Sequence, residues 1–112
     1  MYDITELEKL KSIRVPIESE ETMNNMKELF ASSSETLKEV EENTKSLMNS
    51  LSLKPEHKMI LLSMIADMKL IQSISGDFIV NGYYDGRMIV IPQIHNEISE
   101  KLDKIKRWYG VW

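Results

Sequence analysis

Three groups of residues in this 112-residue chain carry side chains capable of chemistry. Glu35, Glu39 and Glu42 fall three or four apart, which sets their carboxylates along one side of a helix, where they can hold a divalent ion or face a basic partner. The same spacing also suits a plain solvated face, and no histidine accompanies it at ligand distance along the chain. His57 and His95 lie 38 positions apart, and neither has a serine, aspartate or glutamate constellation around it. No glycine-rich phosphate loop is present, and nothing assembles a nucleophile, a base and an oxyanion donor. The expectation is a non-enzymatic protein with no catalytic residues, no metal and no cofactor.

The third group is basic and aromatic: Lys101, Lys104, Lys106 and Arg107, followed by Trp108, Tyr109 and Trp112. Such a cluster can stack on bases while contacting phosphates, or anchor a protein interface through its tryptophans. It also has a purely structural use, since cations in a last helical turn answer the helix dipole and the aromatic rings can close a core.

Charge and composition narrow the classes of partner. The formal net charge is -4, and residues 1–54 hold eleven acids against seven bases, while residues 55–112 hold seven of each. An acidic balance argues against broad nucleic-acid binding, which needs many Lys and Arg to neutralise phosphates. With 42% hydrophobic and 29% charged residues the chain is of globular composition and is expected to fold as one domain. It has no cysteine, so disulfides, thiolate metal sites and cysteine nucleophiles are excluded together. The N-terminus reads as no secretory signal, and the apolar run from Met59 to Ile74 is broken by Ser63, Asp67, Lys69, Gln72 and Ser73. A cytoplasmic protein without membrane contact is expected. Ile, Lys and Asn account for 30 residues, a bias of AT-rich genomes that points to a low-GC bacterium or its phage.

The elements that must position these groups are mostly helical. Residues 3–14 form a short helix capped by Asp3 and stopped by Pro16. Residues 19–51 form a long one opened by Ser19 and a Glu-rich first turn. Met23, Met26, Phe30, Ser33, Leu37, Val40, Thr44, Leu47 and Leu51 recur along it at almost unbroken 3-4 spacing, the pattern of a coiled-coil seam. Ser33 and Thr44 weaken that seam, the flanking positions lack complementary charges, and Ser32-Ser33-Ser34 marks a break or a close approach. Pro55 begins a nearly all-apolar buried helix over residues 55–75, with Gly76 as its cap. Residues 78–91 read as a β-hairpin turning at Asp85-Gly86, with Arg87 at its tip. A helix over residues 93–109 closes the chain, with Ile94, Ile98, Leu102, Ile105 and Tyr109 on one stripe and Gly110 as its stop.

The fold class expected is therefore mostly α: a small helical bundle with one long heptad-patterned helix and a single hairpin before the C-terminal helix. The function expected is that of a protein-binding factor, such as a small adaptor, assembly factor or inhibitor. It would self-associate into a homo-oligomer through Met23, Met26, Phe30, Leu37, Val40, Leu47 and Leu51. Glu35, Glu39, Glu42, Trp108 and Trp112 are the candidates for contact with a further protein. A less favoured alternative is a DNA- or RNA-binding regulator that uses Arg87, Lys101, Lys104, Lys106 and Arg107. Eight methionines are more than this length usually carries, and they suit an adaptable contact surface as well as a core.

Overall fold

A computed structural model describes residues 3–49 and 53–110. Four helices dominate: α1 (Ile4–Leu10), α2 (Glu20–Met48), α3 (Pro55–Asn81) and α4 (Ile91–Tyr109). Two three-residue strands, β1 (Arg14–Pro16) and β2 (Tyr83–Asp85), pair antiparallel, and a short 3-10 helix (Gly86–Val90) leads into α4. The mostly helical fold with one antiparallel ribbon is the class the sequence leads one to expect.

The helix starts follow their capping residues. Asp3 accepts from the backbone N–H of Thr5 at 2.9 Å and Ser19 from that of Thr22 at 3.3 Å, each satisfying one of the donors a first turn leaves free. Pro55 and Pro92 lie in the first turns of α3 and α4, where the missing N–H costs nothing. Gly110 ends α4 at φ 64°, a left-handed position that glycine adopts without strain.

The ribbon is built differently from the expected hairpin. Residues 78–81 continue α3, and Asn81-Gly82, which reads as a turn dipeptide, is the helix end: Gly82 has φ 74° and its N–H donates to Phe78 O. Strand β2 then pairs with β1 in the register Arg14↔Asp85, Val15↔Tyr84, Pro16↔Tyr83. The first helix stops at Leu10, short of residue 14, because Arg14 to Pro16 are committed to this pairing and the Arg14 guanidinium lies over the Tyr83 ring, 4.9 Å from its centroid. Asp85 is no turn residue either: it caps the 3-10 helix through a 2.9 Å bond from the N–H of Arg87.

Gly76 does not cap α3 but sits mid-helix beneath Phe30, where a β-carbon would come within 3.4 Å of the ring. No break occurs at Ser32-Ser33-Ser34, and the close approach does: Ser34 Oγ donates to Gln72 Oε1 at 2.7 Å. α3 is the axis of the molecule, with α2 packed on one side and α4 on the other. By length and composition alone α3 could cross a membrane, with a mean hydropathy of 1.3 over an 18-residue window, a test that the core helix of a small bundle also meets. In this fold its apolar side chains serve two core clusters. Leu61 and Met64 meet Val40 of α2 and Ile105 of α4 near one end, and Ile71, Ile74 and Phe78 meet Ile94 near the other.

Thr44 stands in the α2 seam 2% exposed, and its Oγ1 has no hydrogen-bond partner. An unsatisfied buried hydroxyl carries its desolvation cost in full. Thr44→Val keeps the shape and removes that cost, so it is expected to raise stability by about 1 kcal/mol, read as a higher urea midpoint with unchanged slope.

Candidate functional site: an uncharged trough between two helices

In a closed three-helix bundle every pair of helices touches. Here α2 and α4 each pack along α3 but scarcely meet each other, which leaves α3 uncovered between them. Two adjoining hollows, of about 190 and 290 Å³, occupy that space and share Ser33, Ile71 and His95 where they join. Together they make one trough. The α2 wall is Met26, Leu29, Ser32, Ser33 and Thr36; the α3 floor is Met68, Ile71, Gln72, Ser75 and Phe78; the far wall is Tyr84, Met88, Ile91, His95 and Ile98.

None of these fifteen residues is Asp, Glu, Lys or Arg, although a 29% share of charge would put about four there by chance. Apolar floor, small serine walls and absence of charge make a surface that cannot bind an ion strongly but can bury an apolar helix face. Leu29 and Met88 stand at its edge, 68% and 47% exposed.

The walls are held in place by polar contacts in and around the trough. Gln72 ties α2 to α3, accepting from Ser34 and donating from Nε2 to Phe30 O at 3.4 Å. Lys101 ties α4 to α3, donating to Asp67 at 2.5 Å and to Ser63 at 2.7 Å. Glu41 and Lys69 add an exposed pair at 3.3 Å. The far wall depends on Arg87, whose guanidinium bonds Asp85 through Nε and Nη2 and reaches Asp77 of α3 through Nη1 at 2.8 Å. Burial by itself would raise the Asp85 pKa, but hydrogen bonds from the Arg87 side chain and backbone, with its positive charge, hold the carboxyl below the usual range. Donating those side-chain bonds to Asp85 raises the Arg87 pKa above its ordinary value despite burial, with the bond to Asp77 adding to it.

These contacts redefine the residues singled out by sequence. Met23, Met26, Phe30, Leu37 and Leu47 are half-buried and Val40 fully buried, so the seam is spent largely on the protein's own core; Leu51 lies outside the described residues. Arg87 is at no hairpin tip: it is 5% exposed and neutralised on two sides, and so is unable to reach a phosphate. Lys101 is likewise engaged by Asp67, which leaves Lys104, Lys106 and Arg107 exposed at the end of α4. Trp108 stacks on His57, with centroids 3.7 Å apart and planes 8° from parallel, and keeps 41% of its surface exposed. Trp112 lies outside the described residues. Glu35, Glu39 and Glu42 are all exposed, and no three His, Asp or Glu converge to hold a metal among the described residues.

No protein-family model, curated protein or solved structure matches this chain.

The trough residues that sequence reasoning passed over are Leu29, Ser75, Met88 and His95. One signal for the α2 wall was present. Met26, Leu29, Ser33 and Thr36 follow a 3-4-3 spacing of their own, an uncharged stripe beside the heptad seam. The far wall carries no such signal, because the β-branched residues that follow Met88 favour a strand and His95 stands beside polar Asn96 and Glu97 with no partner nearby in sequence.

Proposed function

We propose that this chain is a non-enzymatic protein-binding factor that takes the apolar face of a helix in the trough between α2 and α4. The observation that carries the reading is the uncharged lining of the trough, combined with surface that the chain leaves uncovered. A compact monomer of 13.1 kDa exposes about 6,400 Å² and has a radius of gyration of about 13 Å. This chain exposes 7572 Å² and has a radius of gyration of 15.8 Å. The excess, roughly 1,200 Å², is spread over the whole elongated chain, of which the trough is one part.

Side-chain counts agree with the areas. Eleven large apolar residues are exposed among the described residues, against nine that are buried. Isolated exposed apolar residues are ordinary, but a trough that collects Leu29 and Met88 above Ile71 and Phe78 is a contiguous patch of the kind that marks contact with another protein. Small Ser32, Ser33 and Ser75 let a helix backbone approach the walls closely. An adaptor, assembly factor or inhibitor works through such a surface, and its test is whether Leu29 is covered where the protein acts.

A further inference from the structure

We infer that the end of the bundle formed by the start of α3 and the close of α4 binds single-stranded nucleic acid, with an unpaired base stacked on Trp108 and neighbouring phosphates held by the cations around it. This surface is separate from the trough. His57 lies eleven positions, about 16 Å along α3, before Met68, the nearest floor residue, so the inference stands or falls apart from the helix-binding reading.

The first observation is the ring stack. Trp108 lies flat on His57, with centroids 3.7 Å apart and planes 8° from parallel. His57 is held in turn by Tyr109, whose ring meets it edge to face at 5.3 Å and whose hydroxyl lies 2.5 Å from Nδ1. It is Tyr109, packed against the core cluster that contains Ile105, that closes this end of the bundle. Trp108 is not needed for that, and with one face on His57 the 41% of it that stays exposed belongs to its other face and rim. A fixed indole with an open face takes a planar ring by stacking, and every unpaired base offers one.

The second is the distribution of charge. Residues 45–48 of α2, 54–58 at the start of α3 and 103–109 of α4 come together at this end. They hold six bases against two acids, Glu56 and Asp103, while the rest of the chain holds eight bases against sixteen acids. An acidic molecule thus has one basic end. All six bases are exposed, and none is in an ion pair among the described residues. Lys104 stands one turn before Trp108 and Lys54 one turn before His57, which puts cations on the same helix faces as the two rings. The positive end of α3 and the negative end of α4 lie side by side and offset each other, so the side chains decide the sign.

A planar surface and cations together specify the class of ligand. An open platform gives a free nucleotide one stack and one phosphate, whereas a strand adds a phosphate at each step along the lysines, so the strand is the tighter ligand. A duplex keeps its bases paired and stacked on one another, out of reach of the indole. The net charge of -4 repels a polyanion elsewhere on the chain, so contact is confined to this end and weakens as salt is raised.

Fluorescence of the full chain carrying Trp112→Phe tests this, because Trp108 is then the only tryptophan. Titration with oligothymidylate is expected to quench it, and the affinity should fall about tenfold or more between about 50 mM and about 200 mM salt. With the oligonucleotide dye-labelled instead, Trp108→Ala should bind about tenfold more weakly, while Trp108→Phe keeps most of the affinity. Lys104→Glu, at an exposed position, should weaken binding as well, with circular dichroism confirming the fold of each variant. Absence of quenching at the lower salt overturns the inference, as does Trp108→Ala binding like the wild type, which would reduce the contact to charge alone. So would equal affinity for thymidine monophosphate and the strand, or binding to phosphatidylserine vesicles without binding to the strand, which would make this end a free-nucleotide or a membrane contact.

Discussion

Arg87→Met is expected to cost about 3–5 kcal/mol of stability at pH 7, because it strands a buried carboxylate. The Asp85 side chain is only 2% exposed and takes three of its bonds from the Arg87 guanidinium. Methionine fills the volume but offers no donor, and Asp85 keeps only the backbone bond from position 87. Asp77, which is half-exposed, can return to water at little cost, so the penalty falls mainly on Asp85.

The pH dependence should change sign with it. In the wild type the Asp85 pKa is depressed below its unfolded value of ~3.9, so the contribution is present above that value and is lost as pH falls through the folded one. In Arg87→Met burial is opposed only by the backbone bond from position 87 and the charge of Lys11, and the folded pKa is expected to rise above the unfolded value. The variant's deficit is then largest at neutral pH and shrinks as the solution is acidified toward pH 4. Urea unfolding of both proteins at pH 7 and pH 4.5 measures this. A deficit under about 1 kcal/mol, or one equal at the two pH values, would show that the ion cluster does not hold the far wall as described.

Phe78→Ala should cost a similar amount, about 3–5 kcal/mol. Phe78 is 1% exposed, meets Tyr84 edge to face with centroids 5.5 Å apart, and lies beneath the Arg87 guanidinium at 5.7 Å. It therefore joins α3, β2 and the 3-10 helix at the point where the trough floor meets its far wall. With only nine apolar side chains buried among the described residues, and a typical total stability of 5–15 kcal/mol, this is a large share of the whole. Val80, two positions on and 85% exposed, provides the comparison: Val80→Ala should change stability by no more than about 0.5 kcal/mol. Equal losses in the two variants would mean that the end of α3 is not packed.

The sequence made the helices legible wherever a local signal defined them. Ser19 with its acidic first turn, Asp3, Pro55, Pro92 and Gly110 each act within one turn, and each lies at or beside the expected boundary. The span from Gly76 to Val90 was misread because its local preferences point the wrong way. Gly76 resembles a cap, Asn81-Gly82 and Asp85-Gly86 resemble hairpin turns, and the β-branched residues between them favour a strand. Long-range contacts decide otherwise: Phe30 packs against Gly76, Arg14 to Pro16 pair with residues 83–85, and Arg87 joins Asp77 to Asp85. Gly86 is close-packed for a reason no local pattern reveals, since a β-carbon there would lie 2.6 Å from Leu10 O.

The trough was the least legible feature. The heptad seam was found, yet its side chains pack on α3, and the contact surface is the uncharged stripe beside it. Which of two adjacent stripes faces inward depends on where α4 sits relative to α2, and that is a relation among three helices rather than a property of one. The expectation that the long helix meets a partner survives as a proposal, shifted from Phe30 and Leu37 to the stripe that carries Leu29.

Thiol labelling of Leu29→Cys beside Leu62→Cys tests most directly whether anything covers the trough, since each would be the only thiol in the chain. In the cells where the protein acts, position 29 is expected to react at least tenfold more slowly than position 62, and the two rates should converge once the purified protein is diluted below its association range. Equal rates at the two positions in those cells would contradict the account.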